Sequence, residues 1–174
     1  MSALAFWKAV VQDKSNFLER VIGLLDESGF AYCVIGGVAV NAYAEPVVTM
    51  DLDMVLGRAE LAPARLMLEK HFKVQEFEHS LNVYDPGSKL QVQLQKDVEL
   101  SEILERAERR DVMDLVIPVA SPRDLFRLKL AAAMESKRRE SKRLKDFADL
   151  RRLIDVFPAL EAEVPAELRS RLLL

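Results

Sequence analysis

The sequence is short of the features that mark secreted, membrane-spanning and disordered proteins. It has a single cysteine, Cys33, which cannot form an internal disulfide and is typical of a reducing compartment. Of the 174 residues, 6 are Gly and 7 are Pro, so the composition is that of a folded chain rather than a disordered one. The net charge of −3 provides no general attraction to nucleic acid.

Long apolar runs are also missing, and this bears on location. Lys8, Asp13 and Lys14 interrupt the apolar residues near the N-terminus, and no small-residue cleavage site follows a long apolar core. We therefore expect neither a signal peptide nor a membrane span. The sequence predicts a cytoplasmic protein with no membrane partner.

The apolar residues that are present suffice for a hydrophobic core. Half of the residues are hydrophobic and 30% are charged. We expect one domain over residues 1–174, of the α/β (α+β) class, with a small mixed sheet flanked by helices. Its core is expected at about residues 30–120 and its C-terminal helices at about residues 121–174. Local patterns predict an amphipathic helix over Leu4–Glu27, a hairpin turn at residues 85–88, a helix beginning at Ser121 and a long helix over Lys142–Phe157.

The segment from Tyr32 to Leu56 carries the clearest functional pattern. The apolar run Tyr32–Ile35 predicts a short buried strand that ends at Gly36-Gly37, and a second strand is expected over Val47–Leu56. In that second strand Asp51 and Asp53 alternate with apolar residues. Because side chains of a strand alternate between its faces, both carboxylates should lie on one face.

Two carboxylates on one face of an apolar strand repel each other unless a cation lies between them. Mg²⁺ or Mn²⁺ would be held by one or two carboxylates, and the remaining ligands would be water and substrate phosphates. Backbone N–H groups at Gly36 and Gly37 would bind those phosphates. A solvated edge strand and a simple tight turn are the alternatives, but the surrounding apolar residues favour a metal site with an NTP as substrate.

A second block of residues extends the pattern. It contains Asp124, Leu125 and Lys129, and then Arg143, Lys145, Asp146, Asp149 and Leu150. Together with Gly36-Gly37 and Thr49-x-Asp51-x-Asp53, this ordered set resembles the nucleotidyltransferase superfamily with a DNA polymerase β-like fold. Within that superfamily it is similar to the small bacterial minimal and abortive-infection toxin-type members.

The resemblance implies a nucleotidyltransferase fold and an activity. That activity is Mg²⁺-dependent transfer of a nucleoside monophosphate from NTP to an acceptor hydroxyl on RNA or tRNA, a protein or a small molecule. It also implies site residues: Asp51 and Asp53 for metal and catalysis, with Gln93 at a catalytic position, and Gly36, Gly37, Thr49, Lys129, Arg143 and Lys145 for the nucleotide phosphates. A cognate antitoxin-type partner is a further implication.

Two departures from the superfamily pattern open an alternative. The strand that should carry a third carboxylate reads Leu90–Gln95 and offers glutamine, so Gln93 occupies that position. Glutamine is a poor magnesium ligand and cannot accept a proton. Val47 and Val48 stand where an arginine is expected. The alternative is therefore a catalytically degenerate module that binds a nucleotide or a partner, such as a toxin–antitoxin component.

The cationic residues also have two interpretations each. Lys129 either extends along the protein surface or contacts phosphate, and Arg143 and Lys145 either form surface ion pairs or organise the pocket. The basic stretch from Lys137 to Arg152 is either a solvated face or a surface for a phosphate-rich acceptor such as a tRNA end.

Overall fold

The computed structural model describes residues 2–174, apart from the side chains of Val98, Glu99 and Ser101. Within these residues seven strands form one mixed sheet in the order β3-β4-β5-β2-β1-β7-β6. The strands are β1 (Tyr32–Ile35), β2 (Asp51–Leu56), β3 (Lys73–Glu76), β4 (Ser80–Tyr84), β5 (Gln91–Gln95), β6 (Glu108–Val112) and β7 (Leu115–Val119).

The α-helices flank this sheet. They are α1 (Ala3–Val10), α2 (Phe17–Glu27), α3 (Gly36–Val40), α4 (Leu61–Leu68), α5 (Pro122–Met134), α6 (Glu140–Val156) and α7 (Ala166–Arg169). Helices of the 3-10 type cover Val98–Arg106, Pro158–Glu163 and Ser170–Leu172. Helices α5 and α6 pack against each other and against α3, and α2 packs against α4.

The predicted strand Tyr32–Ile35 is confirmed as β1, and it lies near the centre of the sheet. All four of its residues are buried, which is what the uninterrupted apolar run predicts. It pairs antiparallel with β2, where Ile35 lies opposite Asp53, and parallel with β7. On its other side β2 pairs parallel with β5. The strand with the two aspartates is therefore a central one.

The predicted helix over Leu4–Glu27 is wrong as a single element, because the chain forms α1 and α2 with a turn between them. Gln12 and Asn16 adopt positive φ values of 50° and 54° in that turn. The buried carboxylate of Asp13 accepts hydrogen bonds from the backbone N–H groups of Phe17 and Leu18, at 3.0 and 3.3 Å. Asp13 thereby caps the first turn of α2 and stabilises the break.

The second predicted strand, Val47–Leu56, begins later than expected, since β2 starts at Asp51. Val47 is instead fixed by the side chain of Asn41, which donates to the Val47 carbonyl at 2.9 Å and accepts from its N–H at 3.0 Å. Val47 and Val48 are exposed and form part of a loop rather than of the sheet. A side chain six residues earlier in the chain thus outweighed the β-branched composition of this segment.

Other local signals are confirmed. The hairpin turn at residues 85–88 joins β4 to β5, with the carboxylate of Asp85 accepting from the Gly87 N–H at 2.8 Å. Ser121 is the N-cap of α5, and its hydroxyl accepts from the Asp124 N–H at 3.2 Å. The long C-terminal helix covers Glu140–Val156, close to the predicted range. None of the helices found within residues 2–174 combines the length and apolar character that crossing a bilayer requires.

Gly36, at the junction of β1 and α3, should not tolerate a side chain. Its φ is +70°, and a Cβ there would lie 3.1 Å from the Asp53 Cβ. We expect Gly36→Ala to lower the free energy of unfolding by about 1–3 kcal/mol, measured by chemical denaturation.

Gly23→Ala is the matched control, because nothing lies within 4 Å of a Cβ at that position in α2. This substitution should raise the free energy of unfolding by about 0.5–1 kcal/mol, since Ala is the better helix former. Equal stability of the two variants would contradict the strained geometry at Gly36.

Candidate functional site

A cleft with a volume of about 650 Å³ opens in front of the aspartate face of β2. One wall is formed by β2, β5 and the glycine turn, and the facing wall by α5 and α6. Of the predicted site residues, those that line the cleft are Gly36, Gly37, Thr49, Asp51, Asp53, Gln93, Lys129 and Lys145. Tertiary structure thus brings together residues that lie far apart in the sequence.

Asp51 and Asp53 lie two residues apart on β2 and face the cleft, while Leu52 and Met54 are fully buried on the opposite side. Among residues 2–174, apart from the three omitted side chains, none donates a hydrogen bond to either carboxylate. Burial raises the pKa of Asp53 to about 6, Lys129 opposes this rise and Asp51 adds to it. The pair is therefore electrostatically unfavourable in the metal-free protein.

The glycine turn lies directly against the acidic pair. Gly36 makes the positive-φ turn from β1 into α3 and approaches the Asp53 side chain closely. A Cβ on Gly37 would have Thr49 at 3.8 Å and Asp149 at 3.9 Å. The Thr49 hydroxyl lies 3.4 Å from the backbone N and O of Asp51, at the start of β2.

Gln93, the residue predicted at the position of the third carboxylate, lies on β5 next to the acidic pair. In the parallel pairing of β2 with β5, Gln93 lies directly beside Asp53. Across residues 2–174, apart from the omitted side chains, no cluster of three His, Cys, Asp or Glu residues could hold a metal ion. The acids on either side of β5 in the sequence are Asp85 and Asp97. Asp97 lines the cleft beyond the end of β5, whereas Asp85 pairs with Arg20 at 2.9 Å in the hairpin turn.

The facing wall contains a buried ion-pair network. Lys129 Nζ lies 2.8 Å from a carboxylate oxygen of Asp149 and 3.2 Å from one of Asp146. Arg138 binds the other oxygen of Asp146 at 2.8 Å, and Arg152 binds the other oxygen of Asp149 at 2.7 Å. Burial alone would lower the pKa of Lys129, but these carboxylates outweigh it and raise that pKa, so the ammonium is held charged.

Arg143 and Lys145 are separated by the fold. The Arg143 guanidinium donates to the carbonyl of Glu135 at 2.8 Å and to that of Arg138 at 3.3 Å. It therefore stabilises the connection between α5 and α6, and it is not among the cleft-lining residues. Lys145 lies one turn of α6 away from Asp149, is exposed and lines the cleft.

The chemistry of the donors fits a hard divalent cation. Two carboxylates without protein donors, on one open face of a central strand, are suitable ligands for Mg²⁺ or Mn²⁺. Such an ion would complete its coordination with water and with phosphate oxygens, which the open cleft can admit. A side chain at position 36 would clash with Asp53. The glycine therefore leaves its backbone open to phosphate next to the ion.

The sequence gives no individual role to Asn41, Arg138 or Arg152, and the two arginines appear there only as part of the basic stretch from Lys137 to Arg152. Arg152 follows Asp149 by three residues on α6, a spacing that in principle indicates an ion pair on one helix face. The contact of Arg152 with Asn41 spans 111 residues, so no local pattern reveals it.

The family comparison agrees with this geometry. Residues 31–173 match the family described as "Nucleotidyl transferase AbiEii toxin, Type IV TA system". The chain belongs to the AbiEii family. The resemblance inferred from Gly36-Gly37, the two aspartates and the C-terminal block is thus confirmed, and nucleotidyl transfer is the chemistry of the family.

Several solved structures have the same fold as this AbiEii-family chain. ANT(2'')-Ia in complex with adenylyl-2''-tobramycin is 14% identical, with a TM-score of 0.64, 90% of this chain covered and 97% of that one. The lincosamide antibiotic adenylyltransferase LnuA, lincomycin-bound, is 13% identical, with a TM-score of 0.56, 83% of this chain covered and 99% of that one.

An antigenic nucleotidyltransferase-like protein from Paracoccidioides brasiliensis is 20% identical, with a TM-score of 0.54, 86% of this chain covered and 75% of that one. A comparison with curated proteins gives no match. The predicted nucleotidyltransferase fold of the AbiEii-family chain is confirmed.

Asp53→Asn should stabilise the metal-free protein near neutral pH. A carboxyl whose folded-state pKa is raised from 3.8 to about 6 costs no stability well below the unfolded value, an increasing amount as pH rises from the unfolded to the folded value, and the full amount above it. We expect the variant to unfold with a free energy about 3 kcal/mol higher than wild type at about pH 7.5 in chelator, and to approach wild type near pH 4.

Asp155→Asn serves as a control, because Asp155 forms an exposed ion pair with Arg151 on α6. Its stability should change little at either pH. Urea denaturation at the two pH values measures both variants, and an Asp53→Asn protein that is less stable near neutral pH would contradict the unfavourable acidic pair.

Proposed function

We propose that this protein transfers a nucleoside monophosphate from NTP to an acceptor hydroxyl in a reaction that depends on Mg²⁺ or Mn²⁺. The observation that carries the proposal is the unpartnered pair Asp51 and Asp53, which faces the charged Lys129 across the cleft. Acids on one wall of a cleft and a cation on the other suit a metal–triphosphate complex, because the acids hold the metal and the cation binds phosphate.

In the proposed reaction the acceptor oxygen bonds to the α-phosphorus while the bond to the bridging oxygen of the β-phosphate breaks. Pyrophosphate leaves, and the hydroxyl proton passes to a cleft carboxylate or to water. Gln93 cannot take that proton, although it lies beside Asp53. When bound by Asp51 and Asp53, Mg²⁺ or Mn²⁺ would neutralise negative charge on the triphosphate.

The phosphates are assigned to the glycine turn and to two lysines. Gly36 and Gly37 present backbone rather than side chains to the cleft next to the acidic pair. Thr49 lies beside Gly37 and holds the start of β2 through its bonds to Asp51. Lys129, held charged by its buried carboxylates, and the exposed Lys145 add positive charge along α5 and α6.

A phosphate-rich acceptor, an RNA or tRNA end, is the acceptor that the surface favours. Lys137, Arg139, Lys142 and Lys145 are exposed around the start of α6, and Lys142 and Lys145 line the cleft. In the part of the chain that the structure describes, no carboxylate forms an ion pair with any of these four. Such an unneutralised basic surface attracts polyanions. Protein and small-molecule hydroxyls are the other outcomes of an acceptor screen.

The family also suggests a biological context. Its description as a toxin of type IV toxin–antitoxin systems makes a cognate antitoxin part of our proposal. A second candidate function is favoured by Gln93: a module that binds nucleotide without turnover, because the third carboxylate is replaced by an amide. Transfer measurements separate the two candidates.

The decisive test supplies each NTP, radiolabelled at the α-phosphate, together with Mg²⁺ or Mn²⁺ and total RNA, tRNA or protein. We expect label to enter an RNA fraction with wild-type protein, and Asp51→Asn with Asp53→Asn to abolish incorporation, because neither amide holds the metal well. Thermal shift on adding metal and NTP measures binding in parallel. Binding without incorporation identifies the non-catalytic module, and no binding at all refutes the site.

Gln93→Asp tests whether the missing carboxylate limits metal binding. A third acid beside Asp53 should tighten Mn²⁺ binding in the absence of nucleotide by about tenfold, measured by calorimetry, because ligand charge raises cation affinity. Gln75→Asp is the control, since Gln75 is exposed on the edge strand β3. An unchanged Mn²⁺ affinity in Gln93→Asp would show that position 93 is out of reach of the metal.

A further inference from the structure

We infer that Arg152 is a positioning residue that keeps Lys129 available to an anion in the cleft and ties the loop at residues 41–47 to helix α6. This inference rests on the proposed function, in which Lys129 binds phosphate. The Arg152 side chain is only 15% exposed, and it lines the cleft together with Lys129 and Asp149.

On the loop side Arg152 makes two contacts. One guanidinium nitrogen, Nη2, donates to Asn41 Oδ1 at 2.7 Å and also to the carbonyl of Glu45. The same Asn41 side chain binds the backbone of Val47: its amide nitrogen donates to the Val47 carbonyl, and its amide oxygen accepts from the Val47 N–H. Arg152 thereby fixes the segment that leads from α3 to Thr49 and on to the metal-binding aspartates.

Arg152 also pairs with the Asp149 carboxylate, which Lys129 contacts as well. Its Nη1 lies 2.7 Å from one oxygen of Asp149, while Lys129 Nζ lies 2.8 Å from the other. Arg138 plays the equivalent role for Asp146, at 2.8 Å. Three cations thus meet two carboxylates in this network, which leaves one positive charge for the cleft.

Removing the guanidinium would reverse that balance. Asp149 would then be paired with Lys129 alone, and a carboxylate left with one partner in a buried site binds that partner more strongly. Lys129 would lose its surplus of positive charge. In addition, the carboxylate of Asp149 lies beside the glycine turn, 3.9 Å from a Cβ on Gly37, so its uncompensated charge would repel phosphate there.

The chemistry of arginine suits this position. A planar guanidinium with five N–H donors can bind a carboxylate and two carbonyl-type oxygens at once, whereas a lysine ammonium acts as a point charge. Arg151, the neighbouring residue, points elsewhere and pairs with Asp155 at 2.9 Å while 43% exposed. It offers a matched control that removes the same charge from the same helix.

The experiment compares Arg152→Met, Arg152→Lys, Asp149→Asn, the double variant Arg152→Met with Asp149→Asn, and the control Arg151→Met. Calorimetry in the presence of Mg²⁺ first identifies which of ATP, GTP, CTP and UTP binds wild type most tightly. The affinity of each variant for that nucleotide is then measured in the same way. Hydrogen exchange of residues 41–50 measures the order of the loop, and circular dichroism verifies folding.

We expect Arg152→Met to weaken nucleotide binding about tenfold, and Asp149→Asn in that background to recover most of the loss, because the unpaired carboxylate is gone. Arg152→Lys should keep most of the affinity, since it restores the charge, but exchange in residues 41–50 should rise in both Arg152 variants. Arg151→Met should change neither quantity.

Two results would overturn the inference: unchanged exchange at residues 41–50 in Arg152→Met, or the same loss of affinity whether or not Asp149 is neutralised. A purely structural role would give the second result, because a destabilised fold does not depend on the charge at position 149. If wild type binds none of the nucleotides, the proposed function fails, and the exchange measurement alone decides whether Arg152 holds the loop.

Discussion

The structure depends on the cost of placing two carboxylates side by side on a buried strand. Asp51 and Asp53 face the same cleft, and burial raises the pKa of Asp53 to about 6. The neighbouring elements fit closely against this pair. Gly36 has no side chain, so the turn can approach Asp53, and Lys129 faces the pair from α5. A site that is unfavourable when empty of cations gains free energy when a cation binds, which is the behaviour expected of a metal–nucleotide site.

The buried charges of α5 and α6 are the complement of that acidic pair. Asp146 is 2% exposed, a position that is stable for a carboxylate only when it is well paired. Each acid of the network is shared by two cations, so neither Lys129 nor its arginine neighbours are left without a partner. The helices that a sequence pattern would treat as a solvated basic surface therefore combine two environments: a buried network of paired charges and an exposed set of lysines and an arginine around the start of α6.

Local sequence signals predicted most of the elements near the site and fewer of those at the periphery. The uninterrupted apolar run of β1, the alternation in β2 and the Ser121 cap each specify their element within a few residues, and the structure confirms them. The helix expected over Leu4–Glu27 failed because Asp13, which looks like an ordinary polar residue, folds inward to cap α2. The strand expected from Val47 begins only at Asp51, because Asn41 holds Val47 in a loop.

The sequence by itself determined the chemistry available at the site: which strand carries two acids on one face, where a glycine is needed, and that the segment Leu90–Gln95 offers glutamine but no acid. These follow from spacing, since alternation along a strand is a local property. Only the tertiary structure decided which cations serve that site. Lys129, Asp149 and Arg152 meet because α5 packs on α6, and Arg152 reaches Asn41 across 111 residues, while Arg143, close in sequence to Lys145, turns toward backbone carbonyls instead. Ion-pair partners are set by how helices pack, and no periodicity in the chain records that arrangement.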